Sequence, residues 1–294
     1  MISRSRREYA ARCESAKPQT PRKPIESGVH RRSLLGLVPT ICCCGCGGGG
    51  GASGGSGGAS GGDGGNASRA PRNPTLDRLF AKAMATGMDE YEQRILPVKN
   101  RLFAQLAPAD GRPATPARRL EVLEIGAGTG PNLAFYPPNT THITAVDPNP
   151  SMRPYMEVNM RALGWKTGEG VRWAEGVAEA LPLPDASVDA VVCTLVLCSV
   201  EDVAGAVREA ARVLRPGGRF LFIEHTAAQR GGLLRLGQAV LNPLQVWLAD
   251  GCHLIRDPLA AIEGAGFAGG VEAMRFEVEG MGLIGPHVAG IAVK

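Results

Sequence analysis

The chain has 294 residues, 40 glycines, few aromatic side chains and a formal net charge of +4. That length allows one large domain or two small ones. The surplus positive charge sits mostly near the N-terminus, and beyond residue 70 both signs are mixed, so the one-sided Lys/Arg face of a nucleic-acid binder is not expected.

Residues 1–44 read as a transit-like targeting segment. Arg4, Arg6, Arg7, Arg12 and Lys17 lead a run that is rich in Arg and Ser and poor in acid. Arg31-Arg32 followed by Ser33–Val38 resembles a twin-arginine signal, which points to a chloroplast, with a mitochondrion or membrane association as alternatives. Cys42, Cys43, Cys44 and Cys46 fall in low-complexity sequence, where acylation or metal binding is the other reading. Residues 45–70 are a Gly-rich flexible linker, expected to be disordered. No stretch reaches the roughly 20 apolar residues of a spanning helix.

The folded domain is expected over 71–294, beginning with N-terminal helices in 71–119. Leu76, Leu79, Phe80 and Ala83 mark one helical face, and Ile95, Val98, Leu102 and Leu106 another, with Gly87 between them. From Leu120 strands and helices alternate. Strands are expected at Leu120–Ile125, His142–Val146, Val171–Ala174, Val188–Leu195 and Arg219–Glu224. Helices are expected at Ser151–Leu163, with Ser151 as N-cap, and at Asp202–Leu214, closed by a turn at Arg215–Gly218. A helix at Asp257–Ala265 and an antiparallel pair, Val271–Glu279 with His287–Val293, end the chain. This alternation argues for an α/β layered fold with a mostly parallel sheet. The interval 225–256 interrupts it with an apolar helix, Leu233 to Leu248, read as a lid over a pocket. A plain packing helix and peripheral membrane contact through 233–248 are the other readings.

The stretch Val122-Leu123-Glu124-Ile125-Gly126-Ala127-Gly128-Thr129-Gly130 is a strand running into a glycine-dense turn, with a helix expected after it. Glycine lets backbone approach a ligand, and free N–H groups then point at it. A dinucleotide fingerprint would need Gly or Ala where Pro131 stands, which argues against a nicotinamide-dependent dehydrogenase. Asp147 lies 21 residues beyond Gly126, at a strand end, where its carboxylate can accept from ribose hydroxyls. Glu124 would order the turn by accepting backbone N–H bonds, or sit beneath a cationic cofactor group. Gly176–Pro182 would line an adenine pocket. Cys193, Cys198 and Cys252 read as reduced thiols of the core or pocket wall, without the spacing of a zinc site, and no metal is expected.

Val122–Gly130, Asp147, Gly176–Pro182, Ser187-Val188-Asp189 and Arg212–Gly218 together resemble the class I S-adenosylmethionine-dependent methyltransferases of type 11. Val191–Val200, Glu224-His225 and Asp250-Gly251-Cys252 are similar to the methyltransferase-like protein 7 thiol S-methyltransferase group. The resemblance implies a Rossmann-like seven-stranded, mostly parallel sheet with helices on both faces and an antiparallel last strand. It implies S-adenosyl-L-methionine as cofactor and a small-molecule acceptor, with the oligomeric state left open. Gly126, Ala127, Gly128 and Gly130 would lie along the methionine part, with Glu124 below; Asp147 would hold the ribose. Val177, Ala178 and Glu179 would flank the adenine, and Tyr91 would close the pocket. Thr194 would face the sulfonium and the acceptor. His225, then His253, are the candidates to help ionise a thiol, either one oriented by Asp250. Carbon or oxygen methylation of a quinone-like acceptor is the alternative within the class; a non-catalytic cofactor-binding regulator is the alternative outside it.

Overall fold

The computed structural model describes residues 72–165 and 168–294. The targeting segment, the linker and the four-cysteine cluster lie outside the described residues. Seven strands form one sheet in the order β3-β2-β1-β4-β5-β7-β6. They are β1 (Leu120–Ile125), β2 (Thr141–Asp147), β3 (Val171–Glu175), β4 (Val188–Thr194), β5 (Leu214–His225), β6 (Val271–Glu277) and β7 (Pro286–Val293). β1 pairs in parallel with β2 and β4, and β7 runs antiparallel to both β5 and β6.

β4 explains the architecture. Its first six residues are buried. Val191 and Cys193 point into one core with Phe220, Phe222 and Ile262; Ala190 and Val192 point into the other with Val122, Leu221 and Met156. A strand whose two faces are both apolar must be covered on both sides, which is what a central parallel strand requires. The helices that cover the sheet are α1 (Pro74–Gly87), α2 (Asp89–Phe103), α3 (Arg153–Ala162), α4 (Val203–Val213), α5 (Leu233–Leu248) and α6 (Pro258–Gly264).

Several local expectations shift. The turn after β1 leads into a 3-10 helix, Pro131–Phe135, in place of an α-helix. Asn149, not Ser151, caps the next helical segment: its side chain accepts from the Ser151 N–H at 2.9 Å, and a 3-10 turn precedes α3. Arg215–Gly218 is not a turn closing α4, which ends at Val213. β5 already begins at Leu214, and the register against β4 slips between Val188 and Ala190 to absorb the extra residues. On α1 the buried positions are Asp77, Ala81 and Ala85, while Leu76 and Leu79 are exposed. Burial there follows the Arg72–Asp77 ion pair (2.7 Å) and the bond from Asn149 to the Asp77 carbonyl (3.1 Å). Among the described residues no helix is long and apolar enough to cross a membrane.

Gly290 sits in β7 where a Cβ would meet the Glu272 carbonyl oxygen, the Phe222 ring at 2.8 Å and the Ala273 Cα at 2.9 Å. Two backbones and a fixed ring cannot all give way. Gly290→Ala is expected to destabilise the domain by about 1–3 kcal/mol through overpacking. Urea unfolding followed by fluorescence reads this directly, and an unchanged midpoint would show that the strand relaxes.

Candidate active site

The sheet's carboxyl edge opens into a cavity of about 680 Å³, within the range of small-molecule sites. Its floor is the glycine turn. Gly126, Gly128 and Gly130 have φ of 61°, 54° and 75°, a left-handed backbone that side chains rarely adopt. A Cβ on Gly126 would run into Val196 of the loop after β4, so the two loops can approach this closely only without it. A Cβ on Gly128 would meet only the Gly126 carbonyl, at 3.8 Å, and otherwise open space. The turn is pinned to β2 by Gly126 N–H donating to the Val146 carbonyl at 2.7 Å.

Asp147 ends β2, is buried and lines the cavity. Its Oδ2 accepts from Gly128 N–H at 2.9 Å and its Oδ1 from Asn149 N–H at 2.8 Å. Burial pushes its pKa up to about 6; the two N–H bonds and the Arg72 charge oppose that rise. Glu124 lies beneath the turn, outside the cavity lining. It accepts from side chains, not from the backbone N–H groups expected: Asn132 Nδ2 at 2.9 Å and the Tyr136 hydroxyl at 3.1 Å. Burial raises it to about 7. Asn132 Nδ2 also donates to Thr194 Oγ1 at 3.0 Å, so one amide ties the floor to the end of β4.

Gly126, Ala127, Gly128, Gly130, Asp147, Val177, Ala178, Glu179, Thr194 and Tyr91 all line this cavity. The Glu179 carboxylate is itself engaged, accepting from Glu201 N–H at 2.7 Å ahead of α4. Tyr91 is buried, and its hydroxyl lies 2.9 Å from His287 Nε2. His287 Nδ1 lies 2.8 Å from the Gly285 carbonyl, and that acceptor requires the proton on Nδ1. Burial lowers His287 to about 4, so the ring is neutral and its Nε2 accepts the Tyr91 hydroxyl proton.

The two histidines singled out as candidate bases are not among the lining residues. His225 is buried, with Nε2 2.8 Å from Cys252 Sγ. His253 follows α5, its N–H on the Cys198 carbonyl at 2.8 Å. Asp250 does line the cavity, but its carboxylate pairs with Arg72 at 3.0 Å, not with either histidine. Cys193 is a core residue of β4. Sequence reasoning passed over the buried Lys99–Glu92 ion pair (2.5 Å) in the cavity wall. The two residues are seven apart, two turns of one helix face, which was the available signal. It passed over His287 too, a lone histidine in an edge-ward strand.

The donor set fits S-adenosylmethionine. A buried carboxylate at Asp147 can accept from hydroxyl groups, a turn free of Cβ atoms leaves room beside Gly128, and apolar Val177 and Ala178 also line the cavity.

Residues 123–222 match the family described as the methyltransferase domain. Human thiol S-methyltransferase TMT1A is 37% identical over 206 residues, covering 69% of this chain and 81% of that protein. Rat thiol S-methyltransferase TMT1B is 35% identical over 228 residues, covering 75% and 88%. A chain of the solved complex between the Haloferax volcanii Trm112 methyltransferase activator and a putative methyltransferase superposes with a TM-score of 0.54. It is 15% identical and covers 76% of this chain and 99% of its own, a likeness of fold alone. The glycine turn, Asp147 and the seven-stranded sheet thus sit in a chain that belongs to the class I S-adenosylmethionine-dependent methyltransferases, in the group of the thiol S-methyltransferases TMT1A and TMT1B.

Proposed function

We propose that the acceptor is a small-molecule thiol, methylated on sulfur by in-line transfer. The observation that carries this is the likeness to two enzymes named for thiol S-methylation, over more than four-fifths of each. The wall of the cavity suits an apolar acceptor: Phe80, Met84, Leu195, Val196 and Val200 contribute to it.

When bound, the cofactor supplies a sulfonium methyl that is already a strong electrophile. The chain's share is position and exclusion of water. Thr194, held by Asn132, and Tyr91, held by His287, are the two hydroxyls best fixed for orienting an acceptor. Tyr91 gives its proton to His287, which leaves its oxygen able to accept a further hydrogen bond. No histidine lines the cavity among the described residues. The fraction of acceptor present as thiolate therefore governs the rate.

A second reading concerns where the acceptor comes from. Leu233, Leu236, Val240, Leu241, Leu244, Trp247 and Leu248 of α5 are exposed, as are Leu76 and Leu79 of α1. The Arg72–Asp250 pair brings the start of α1 to the end of α5. Thr226 to Ala249 holds Arg230 and Arg235 and no acidic residue, and α1 adds exposed Arg78 and Lys82. An apolar face with basic flanks suits peripheral contact with an anionic lipid surface.

Three outcomes are expected. Asp147→Asn lowers S-adenosylmethionine affinity by roughly tenfold or more, since a charged acceptor is lost. In the parent chain affinity should fall as pH drops through about 6, where Asp147 takes up its proton; calorimetry showing the same fall in the Asn variant would remove Asp147 from the ribose position. With labelled cofactor and a panel of thiols, quinols and phenols, methyl transfer should favour thiols, and kcat/KM should rise with pH toward each thiol's own pKa. Transfer to quinols alone would favour the carbon or oxygen chemistry; an inflection near that of histidine, common to all thiols, would restore His225 or His253 as the base. Finally, the full chain should sediment with vesicles containing anionic lipid, and Leu236→Glu/Leu244→Glu should release it; binding indifferent to that double change would leave the α5 face without a lipid role.

A further inference from the structure

Behind the cavity, three residues from three segments converge. Cys198 lies in the loop after β4, His225 ends β5, and Cys252 follows α5. Their ligand atoms all lie within 4.8 Å of one another, and all three residues are buried. Among the described residues this is the one grouping of its kind. Nothing in the methyl transfer described above uses it.

We propose that Cys198, His225 and Cys252 bind a thiophilic divalent cation of the zinc class, which clasps the loop after β4 to the end of the lid. Two thiolates and one neutral imidazole balance a dication, so the buried group carries no net charge. His225 presents one nitrogen to the sulfurs, Nε2, while its Nδ1 has no partner. Gln245 stands 3.6 Å from Cys252 Sγ, and its amide turned about brings an oxygen to the same place as a fourth donor. Around a tetrahedral zinc a nitrogen and a sulfur stand about 3.5 Å apart. His225 and Cys252 are now at 2.8 Å, so entry of the metal parts them by under ~1 Å.

The backbones are already docked for this. His253 N–H donates to the Cys198 carbonyl, and the Arg256 guanidinium gathers the carbonyls of Leu197, Cys198 and Val200. Thr194, Leu195, Val196, Ser199 and Val200 on one side and Asp250 on the other line the cavity. A metal at this point therefore fixes the cavity rim. Spacing along the chain conceals the site, because one ligand lies in the loop after β4, one ends β5 and one follows α5.

The test uses the full chain with Cys13, Cys42, Cys43, Cys44 and Cys46 changed to Ser, so that the N-terminal thiols do not compete. Titrated with Co²⁺ under reducing conditions, it should bind one ion per chain with intense thiolate-to-cobalt charge-transfer bands. Cys198→Ser and Cys252→Ser should each weaken binding by roughly a hundredfold or more, and His225→Gln at least tenfold, since loss of mere ligand-supporting groups already costs 10–100-fold. Circular dichroism checks that each variant folds. Where one does not, residue-level alkylation of the parent supplies the answer: Zn²⁺ should slow modification of Cys198 and Cys252. Absence of the charge-transfer bands, bands that persist in the Ser variants, or alkylation unaffected by Zn²⁺ would overturn the site. So would recovery of the air-purified chain with Cys198 and Cys252 joined in a disulfide that Zn²⁺ with reductant does not replace.

Discussion

Left-handed backbone at Gly126, Gly128 and Gly130 is the constraint on which the carboxyl edge depends. Three such residues in five turn the chain sharply off β1 and leave no Cβ between it and the loop after β4. Val196 occupies the space that a side chain at 126 would take. Because Val196 is packed there, its N–H reaches Glu224 of β5 at 3.0 Å, and the loop carrying Thr194 to Val200 is held against the sheet. Leu195 follows with φ of 59°, an unusual conformation for a branched side chain that this packing sustains. The turn, the loop and the strand end form one mechanical unit.

Burying carboxylates under that unit has an electrostatic consequence. Glu124 and Glu224 are both raised to about 7 and Asp147 to about 6, in each case chiefly by burial. A carboxyl whose folded pKa exceeds its unfolded value binds more protons in the folded state. Stability carried by these groups is therefore greatest below their unfolded values and is lost as pH rises toward 7. The domain gives up stability near neutrality, where Asp147 is ionised and Glu124 and Glu224 are only partly so. Glu124 lies outside the cavity lining. It acts through Asn132 and Tyr136, which are the groups that fix Thr194 and the far wall.

What could be read from the chain alone follows a simple division. Features encoded in consecutive residues were legible: the glycine turn, the doubly buried β4, Asp147 at its strand end, the apolar helix from Leu233. Features assembled by topology were not. Asn132 and Thr194 are 62 residues apart, and Tyr91 and His287 are 196 apart. No local pattern pairs them; they meet because β1 lies beside β4 and because β7 returns between β5 and β6. Asn149 took the cap from Ser151 because Pro150 begins the turn one residue early. Spacing alone places the leucines of α1 on one helical face. Periodicity shows that a helix has an apolar stripe. It does not show which element, if any, covers it.

That last failure is informative about the lid. α5 carries its apolar residues outward and buries Gln238, whose amide donates to the Leu283 carbonyl at 2.9 Å and accepts from Ala228 N–H at 2.8 Å. A helix that packed only to complete the core would do the reverse. The polar anchor at 238 fixes which face looks in, and therefore commits the leucines and Trp247 to look out. Just beyond the helix lie Asp250, in the cavity rim, and Cys252, in the thiol–imidazole group. One element thus presents an apolar surface, forms part of the rim through the Arg72–Asp250 pair, and meets the loop that holds Thr194. An acceptor arriving along that apolar face would reach the cavity at the rim where Asp250 is paired with Arg72. How firmly Cys252 is held bears on how freely that rim can open.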